Sequence, residues 1–165
     1  MRVLIILSSL LLLSSGCTKK HFREGARSSM SPTIQPHESL VADMSAYRKS
    51  GPQRWDVVLF HPPPAPWIPK TEVWDMRVIG LPGESLEIRD DGIYIDGKLL
   101  KQPERLAAIR YIPSVPNPHF ATVSYPYKIP ADAYFLVGDN TTDSFDSRFW
   151  GALPRQSILG RVEGK

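Results

Sequence analysis

Residues 138–151 hold the densest set of reactive groups in the chain. They read Gly138-Asp139-Asn140-Thr141-Thr142-Asp143-Ser144-Phe145-Asp146-Ser147-Arg148-Phe149-Trp150-Gly151. Carboxylates, hydroxyls and one guanidinium crowd a stretch that directly follows the apolar run Ala133–Val137. By composition alone this is a turn in which the polar groups satisfy one another. A second group of hydroxyls, Ser28, Ser29 and Ser31, stands just before Pro32. The one cysteine, Cys17, closes no internal disulfide and cannot build a multi-cysteine zinc or iron–sulfur site. Neither a metal nor a cofactor is expected.

The elements that position these groups read as strands. Asp56-Val57-Val58-Leu59-Phe60 and Val73-Trp74-Asp75-Met76-Arg77-Val78-Ile79 are β-branched, aromatic and too short for helices. They flank a proline-rich loop, His61-Pro62-Pro63-Pro64-Ala65-Pro66-Trp67, and an antiparallel pair is expected. Leu81-Pro82-Gly83-Glu84 makes a turn. Two Asp-Gly steps, Asp91-Gly92 and Asp96-Gly97, separate alternating apolar residues and predict hairpins. Glu104 to Ile112 is expected to form a short helix, Ala133 to Val137 a strand and Leu159 to Val162 a last strand. Sixteen prolines and eleven glycines in 165 residues argue against a helical bundle. The class is all-β in one domain.

Four segments together resemble the type I signal peptidases. Gly138-Asp139-Asn140 through Asp146-Ser147-Arg148 to Gly151 is similar to the family's last conserved box, and Arg77-Val78-Ile79-Gly80-Leu81-Pro82-Gly83-Glu84 to its central box. Asp56 to Phe60 resembles the strand before that box, and Ser29-Met30-Ser31-Pro32-Thr33-Ile34 the box that holds the nucleophile. The resemblance covers residues 28 to 162 in the family's order. It implies a serine endopeptidase that removes signal peptides from exported proteins at the outer face of a membrane. The implied fold is one of coiled, partly open antiparallel sheets, with residues 85 to 130 supplying only a small hairpin and a loop. Ser29 would be the nucleophile and Ser144 the hydroxyl that supports the general base. Arg77 with Asp139, and Asp146 with Arg148, would be structural ion pairs that shape the site. Substrate is expected as an extended strand on a sheet edge, with small pockets for alanine-sized side chains near the cut.

The catalytic pair departs from that pattern. A serine hydroxyl is a poor nucleophile until a base takes its proton. The bacterial family uses a lysine whose pKa is lowered by apolar burial. That lysine directly precedes the Arg-Val-Ile-Gly-Leu-Pro-Gly run, and here the position is Met76. A thioether accepts no proton from serine at neutral pH. Lys70 lies six residues upstream, roughly 20 Å along an extended strand. Asp75 and Arg77 alternate to the opposite face of the strand from Met76. His61 sits several residues away on the partner strand. None of them is a ready substitute. Arg27-Ser28 replaces the family's Ser-Gly before the nucleophile, which leaves the backbone N–H of Ser29 as the oxyanion donor. His37-Glu38 stands where Gly-Asp is usual and implies a changed turn.

The N-terminus sets the compartment. Arg2, the apolar run Val3 to Leu13 and Ser14-Ser15-Gly16 describe an export signal over residues 1–16. The run is shorter than the ~20 apolar residues a spanning helix needs. Cys17 after Gly16 resembles a bacterial lipobox, with Ser14 where leucine is usual. A lipid on Cys17 is favoured over a short uncleaved anchor. Residues 17–27 carry Lys19, Lys20, Arg23 and Arg27 against Glu24, a basic tether for an anionic membrane surface. Residues 28–165 are then the signal peptidase-like domain in the cell envelope, on the extracytoplasmic side. A net charge of +3 is too even to suggest nucleic-acid binding. Two readings stay open: an active signal peptidase-like enzyme, and an inactive member that binds exported peptides or regulates a true peptidase.

Overall fold

The structure is a computed structural model that describes residues 19–23, 26–114 and 120–165. Cys17 and the apolar run before it lie outside the described residues. The strands are β1 (Lys19–Arg23), β2 (Ser39–Asp43), β3 (Val57–Phe60), β4 (Trp74–Gly80), β5 (Ser85–Arg89) and β6 (Gly92–Ile95). After them come β7 (Lys98–Leu99), β8 (Tyr127–Lys128), β9 (Ala133–Val137), β10 (Leu153–Pro154) and β11 (Ile158–Val162). One short helix, α1 (Ser147–Trp150), lies between β9 and β10. A seven-stranded sheet runs β1-β2-β11-β3-β4-β9-β10, and a four-stranded sheet runs β7-β6-β5-β8. The strand pairs are antiparallel, so the mostly β class read from the chain holds.

Strand alternation decides what each face buries. Val58 and Phe60 pack with Met76, Val78 and Leu136, while Val57 and Leu59 pack with Met30, Ile34, Leu40 and Val162. The large sheet is therefore covered on both faces at β3. In the β3–β4 pair Val58 stands opposite Met76 and Val57 opposite Arg77. Residues 61–73, including the proline-rich loop, connect the two strands. A third core joins Ile79 and Phe135 of the large sheet to Leu86, Ile88 and Ile93 of the small one. Gly80 is the point of contact, because a Cβ there would fall 2.3 Å from Ile129 Cδ1 and 2.9 Å from Phe135 Cβ. A larger residue there would force Phe135, Leu86 or Ile129 to shift.

Three elements differ from expectation. The helix expected over Glu104–Ile112 is a single 3-10 turn, Glu104–Leu106. Beyond it the chain coils around Gln102, whose Nε2 donates to the carbonyls of Leu106 and, at 2.9 Å, Ile109. Part of the basic tether is strand β1, paired residue for residue with β2. Phe22 packs against the core under β2, and Lys19 pairs with Glu163 at 3.0 Å. Strand β2 itself was not anticipated, although Leu40 and Ala42 are buried in alternation with more exposed neighbours.

Candidate active site

Two buried anchors fix the loop that carries Ser29. Met30 and Ile34 both sit in the core beneath β2 and β3. Between them the chain turns tightly, with Ser31 N–H donating to Ser28 O and Ile34 N–H to Met30 O, each at 2.9 Å. Ser29 stands one residue before the first anchor and is half-buried. Further along, His37 adopts a left-handed φ of 65°, at the turn where the sequence departs from Gly-Asp. Glu38 closes this turn by accepting from Gln35 N–H at 2.9 Å.

The polar loop after β9 forms the facing wall. Asn140 N–H donates to Ser29 O at 2.9 Å, and Asn140 Nδ2 donates to Ser28 O at 3.2 Å. Ser28 Oγ donates to Asp143 Oδ2 at 2.5 Å. Three hydrogen bonds thus tie the Ser28–Ser29 segment to this loop. Asp146 caps α1 and accepts from Arg148 Nε and Nη2, both at 2.8 Å. Its carboxylate also takes Arg148 N–H at 3.1 Å and Gly138 N–H at 3.0 Å. Ser147 Oγ accepts from Leu136 N–H at 2.9 Å, which fastens α1 to β9.

Arg77 and Asp139 form a second buried pair, Nε to Oδ1 at 2.8 Å and Nη2 to Oδ2 at 2.6 Å. Each partner makes further hydrogen bonds. Arg77 Nη1 donates to Trp55 O at 2.8 Å, while Tyr111 and Thr33 hydroxyls donate to Asp139 at 2.7 and 2.5 Å. Burial opposes the charge on Arg77, but the hydrogen bonds and charge of Asp139 outweigh it and the guanidinium pKa rises. Burial, with the Asp139 charge, holds the Tyr111 hydroxyl well above the ordinary tyrosine range. The result is one buried hydrogen-bonded network around Asp139. Through Thr33 it ties the Ser29 loop to β4.

Ser28, Ser29, Asp75, Met76, Asp143 and Ser144 line one cleft of about 700 Å³. The position expected to hold lysine carries a Met76 that is 2% exposed and packed against Val58 and Leu136. Ser144 Oγ is buried and has no hydrogen-bond partner among the described residues. Neither lysine nor histidine is among the described residues lining this cleft. Lys70 and His61 line a separate cleft beside the proline-rich loop, and His61 Nδ1 is hydrogen-bonded to Glu72 O at 3.0 Å. Asp75 alternates with Met76 along β4, yet both lie against the Ser29 cleft. Arg27 also lines the cleft, donating to Glu72 Oε1 at 2.7 Å, with its guanidinium 5.1 Å from the Trp74 ring centre.

Sequence reasoning did not find Asn140, Asp143, Thr33 or Tyr111 as site partners. Asn140 and Asp143 stood inside the polar run, whereas nothing local marks Thr33 or Tyr111. It also missed three aromatic residues of the cleft wall, Phe120, Phe145 and Phe149. Chemically the cleft offers the hydroxyls of Ser28, Ser29 and Ser144, the carboxylates of Asp75 and Asp143, and a thioether at Met76.

The chain is similar in sequence and fold to known proteins. The family model described as signal peptidase, peptidase S26, matches residues 1–164. A signal peptidase I of Leptolyngbya laminosa is 36% identical over 139 residues, covering 81% of this chain and 62% of the relative. A signal peptidase I V of Bacillus subtilis strain 168 is 34% identical over 141 residues, covering 81% and 78%. Among solved structures, a signal peptidase I from Enterococcus faecalis V583 superposes with a TM-score of 0.50 at 32% identity. That match covers 67% of this chain and 95% of the other. The chain spans 62% and 57% of the lengths of the two cyanobacterial relatives. Motif order, sheet topology and sequence similarity agree: the chain belongs to the peptidase S26 family of signal peptidases.

Proposed function

We propose that the chain is a serine endopeptidase of the signal peptidase I type, acting on the signal peptides of exported proteins. Ser29 is the nucleophile of this reading and its backbone N–H the oxyanion donor. The observation that carries it is the convergence of Ser29 and Ser144 on one cleft, with the Ser29 loop tied to the Asp139 loop by Asn140. The peptide lies extended along the cleft, as strand-type recognition requires. The test is cleavage of a signal-peptide substrate by the full chain in lipid vesicles. Wild type is expected to cut and Ser29→Ala to abolish cutting. Equal cutting by both overturns the reading.

Met76 favours a second reading, a member that binds exported peptides or regulates a peptidase without turning substrate over. The Ser144 hydroxyl, which has no partner among the described residues, supports it, since Met76 supplies no amine for such a hydroxyl to assist. It requires peptide binding without turnover in wild type, and efficient wild-type cleavage sinks it.

For location we propose the extracytoplasmic membrane surface, with the tether lipidated at Cys17. Ser29 follows Cys17 by only twelve residues, at most about 40 Å of extended chain. Among the described residues no helix is long and apolar enough to cross a membrane. Lipid on Cys17 predicts a mass increment on that residue and release of Cys17→Ser from washed membranes. Retention of the variant contradicts it.

A further inference from the structure

Three chain segments that are distant in sequence bring aromatic rings together at the cleft. Phe145 and Phe149, from the loop and helix after β9, lie 5.4 Å apart between ring centres. Phe120 lies 4.6 Å from Phe145. Trp67, at the end of the proline-rich loop, lies 5.9 Å from Phe120. The series is continuous, from the residue beside Ser144 to a Trp67 that is 63% exposed. The three phenylalanines are only half-buried and line the cleft that holds Ser29. Local structure alone does not require such a row. Phe145 follows the buried Ser144 hydroxyl directly, yet its ring is turned to the cleft instead of a core.

We propose that this strip holds large apolar side chains, leucine- or phenylalanine-sized, of the peptide whose backbone lies at Ser29. The inference rests on the reading of the cleft as a peptide site and adds the side-chain class it selects. Continuity decides the occupant: Phe145 and Phe120 share the cleft with Ser29, and Trp67 extends their row outward. A bilayer favours protruding side chains, whereas three of these four rings form the wall of a concave cleft. Burying a leucine instead of an alanine against such a wall removes considerably more apolar area from water. The strip thus sets affinity through the residues flanking the reacting bond, leaving the small pockets at the bond itself unaffected.

The experiment uses the full chain in lipid nanodiscs and two dye-labelled signal peptides, identical except for a three-residue run of leucine or of alanine. Wild type is expected to bind the leucine peptide about tenfold more tightly. Phe120→Ala and Phe145→Ala should each reduce this preference to about threefold or less. Trp67→Ala, at the exposed outer end, should lower it without any risk to the core. Equal affinities in wild type, or a preference unchanged in all three variants, overturns the proposal. Variants that lose vesicle binding while keeping the peptide preference also overturn it, and assign the strip to the membrane instead. A chain with Ser29→Cys and a haloacetyl peptide separates the two levels. Labelling at position 29 with no side-chain preference refutes the strip alone, and no labelling by either peptide refutes the peptide site itself.

Discussion

The backbone N–H of Asn140 donates to the carbonyl oxygen of Ser29 at 2.9 Å. This bond joins the two sequence boxes that lie farthest apart and makes the position of Ser29 depend on the loop after β9. Asn140 follows Asp139, which is locked to Arg77 of β4. The position of Ser29 is thus inherited from the central strands through a short series of hydrogen bonds.

Gly138 tests how tight that inheritance is. A Cβ at this residue would fall 2.3 Å from Ser144 Oγ and 2.5 Å from Ser29 O. The second contact is with backbone, so a rotamer change cannot relieve it. Gly138→Ala is expected to lower unfolding free energy by about 1–3 kcal/mol. Peptide affinity at the cleft should fall as well, because the Ser29 loop has to shift. Thermal melts and peptide titration of the same sample check both effects.

Asp139→Asn leaves Arg77, which is fully buried, facing a neutral amide. Breaking a buried pair by removing one charge costs about 3–5 kcal/mol. The loss should appear in urea unfolding as a lower midpoint with an unchanged m-value. Arg77→Lys is expected to recover little, since an ammonium cannot make the two-pronged contact together with the bond to Trp55 O.

The sequence made the central part of this arrangement readable. Strands β3, β4 and β9 announce themselves through short β-branched runs, and the β5–β6 hairpin through Asp91-Gly92. Ser29, Met76 and Ser144 were found only because ordered motifs resemble a family; no local property of Ser29 sets it apart from Ser28. What stayed hidden depends on tertiary convergence. Thr33 and Tyr111 reach Asp139 from segments without periodicity, and Phe120 meets Trp67 across more than fifty residues of chain. The tether reads as a basic segment for a membrane surface because its four cations mask Phe22, which docks part of it on the core.

Acid should loosen the turn that closes the Ser29 loop. The hydrogen bond from Lys165 and then the one from Gln35 N–H hold the Glu38 carboxyl below its ordinary pKa. Lys165 Nζ lies 2.5 Å from Glu38 Oε1 and 3.0 Å from Thr33 O. A carboxylate with a depressed folded pKa binds fewer protons folded than unfolded, so its stabilisation is complete above the unfolded pKa of about 4.3. That stabilisation disappears as pH falls through the lower, folded value. Wild type should therefore have a higher Tm than Glu38→Gln at pH 7, and the gap should close below pH 4. Because both side chains are partly exposed, added salt should also narrow it.

Met76→Lys and Ser144→Ala together decide what the cleft lacks. In wild type the Ser144 hydroxyl is buried without a partner among the described residues, and removing an unsatisfied group is neutral to stabilising, by up to about 1 kcal/mol. Ser144→Ala alone should therefore leave Tm unchanged or slightly higher. Met76→Lys places an amine on an apolar wall, where burial lowers its pKa and leaves part of it neutral near pH 7. A depressed lysine pKa means that the unfolded state binds more protons, so this variant should be destabilised by about 2–4 kcal/mol at pH 7 and recover as pH rises. The neutral amine is also the base that Ser29 needs, and turnover should rise with pH through the same lowered pKa. In the Met76→Lys background Ser144 gains a partner, so Ser144→Ala there should reduce turnover tenfold or more (roughly the loss of one hydrogen bond to a charged group). If Met76→Lys adds no turnover at any pH while wild type cleaves efficiently, the base lies elsewhere in the cleft. If wild type is inert and the lysine variant active, a single side chain separates this chain from a working dyad.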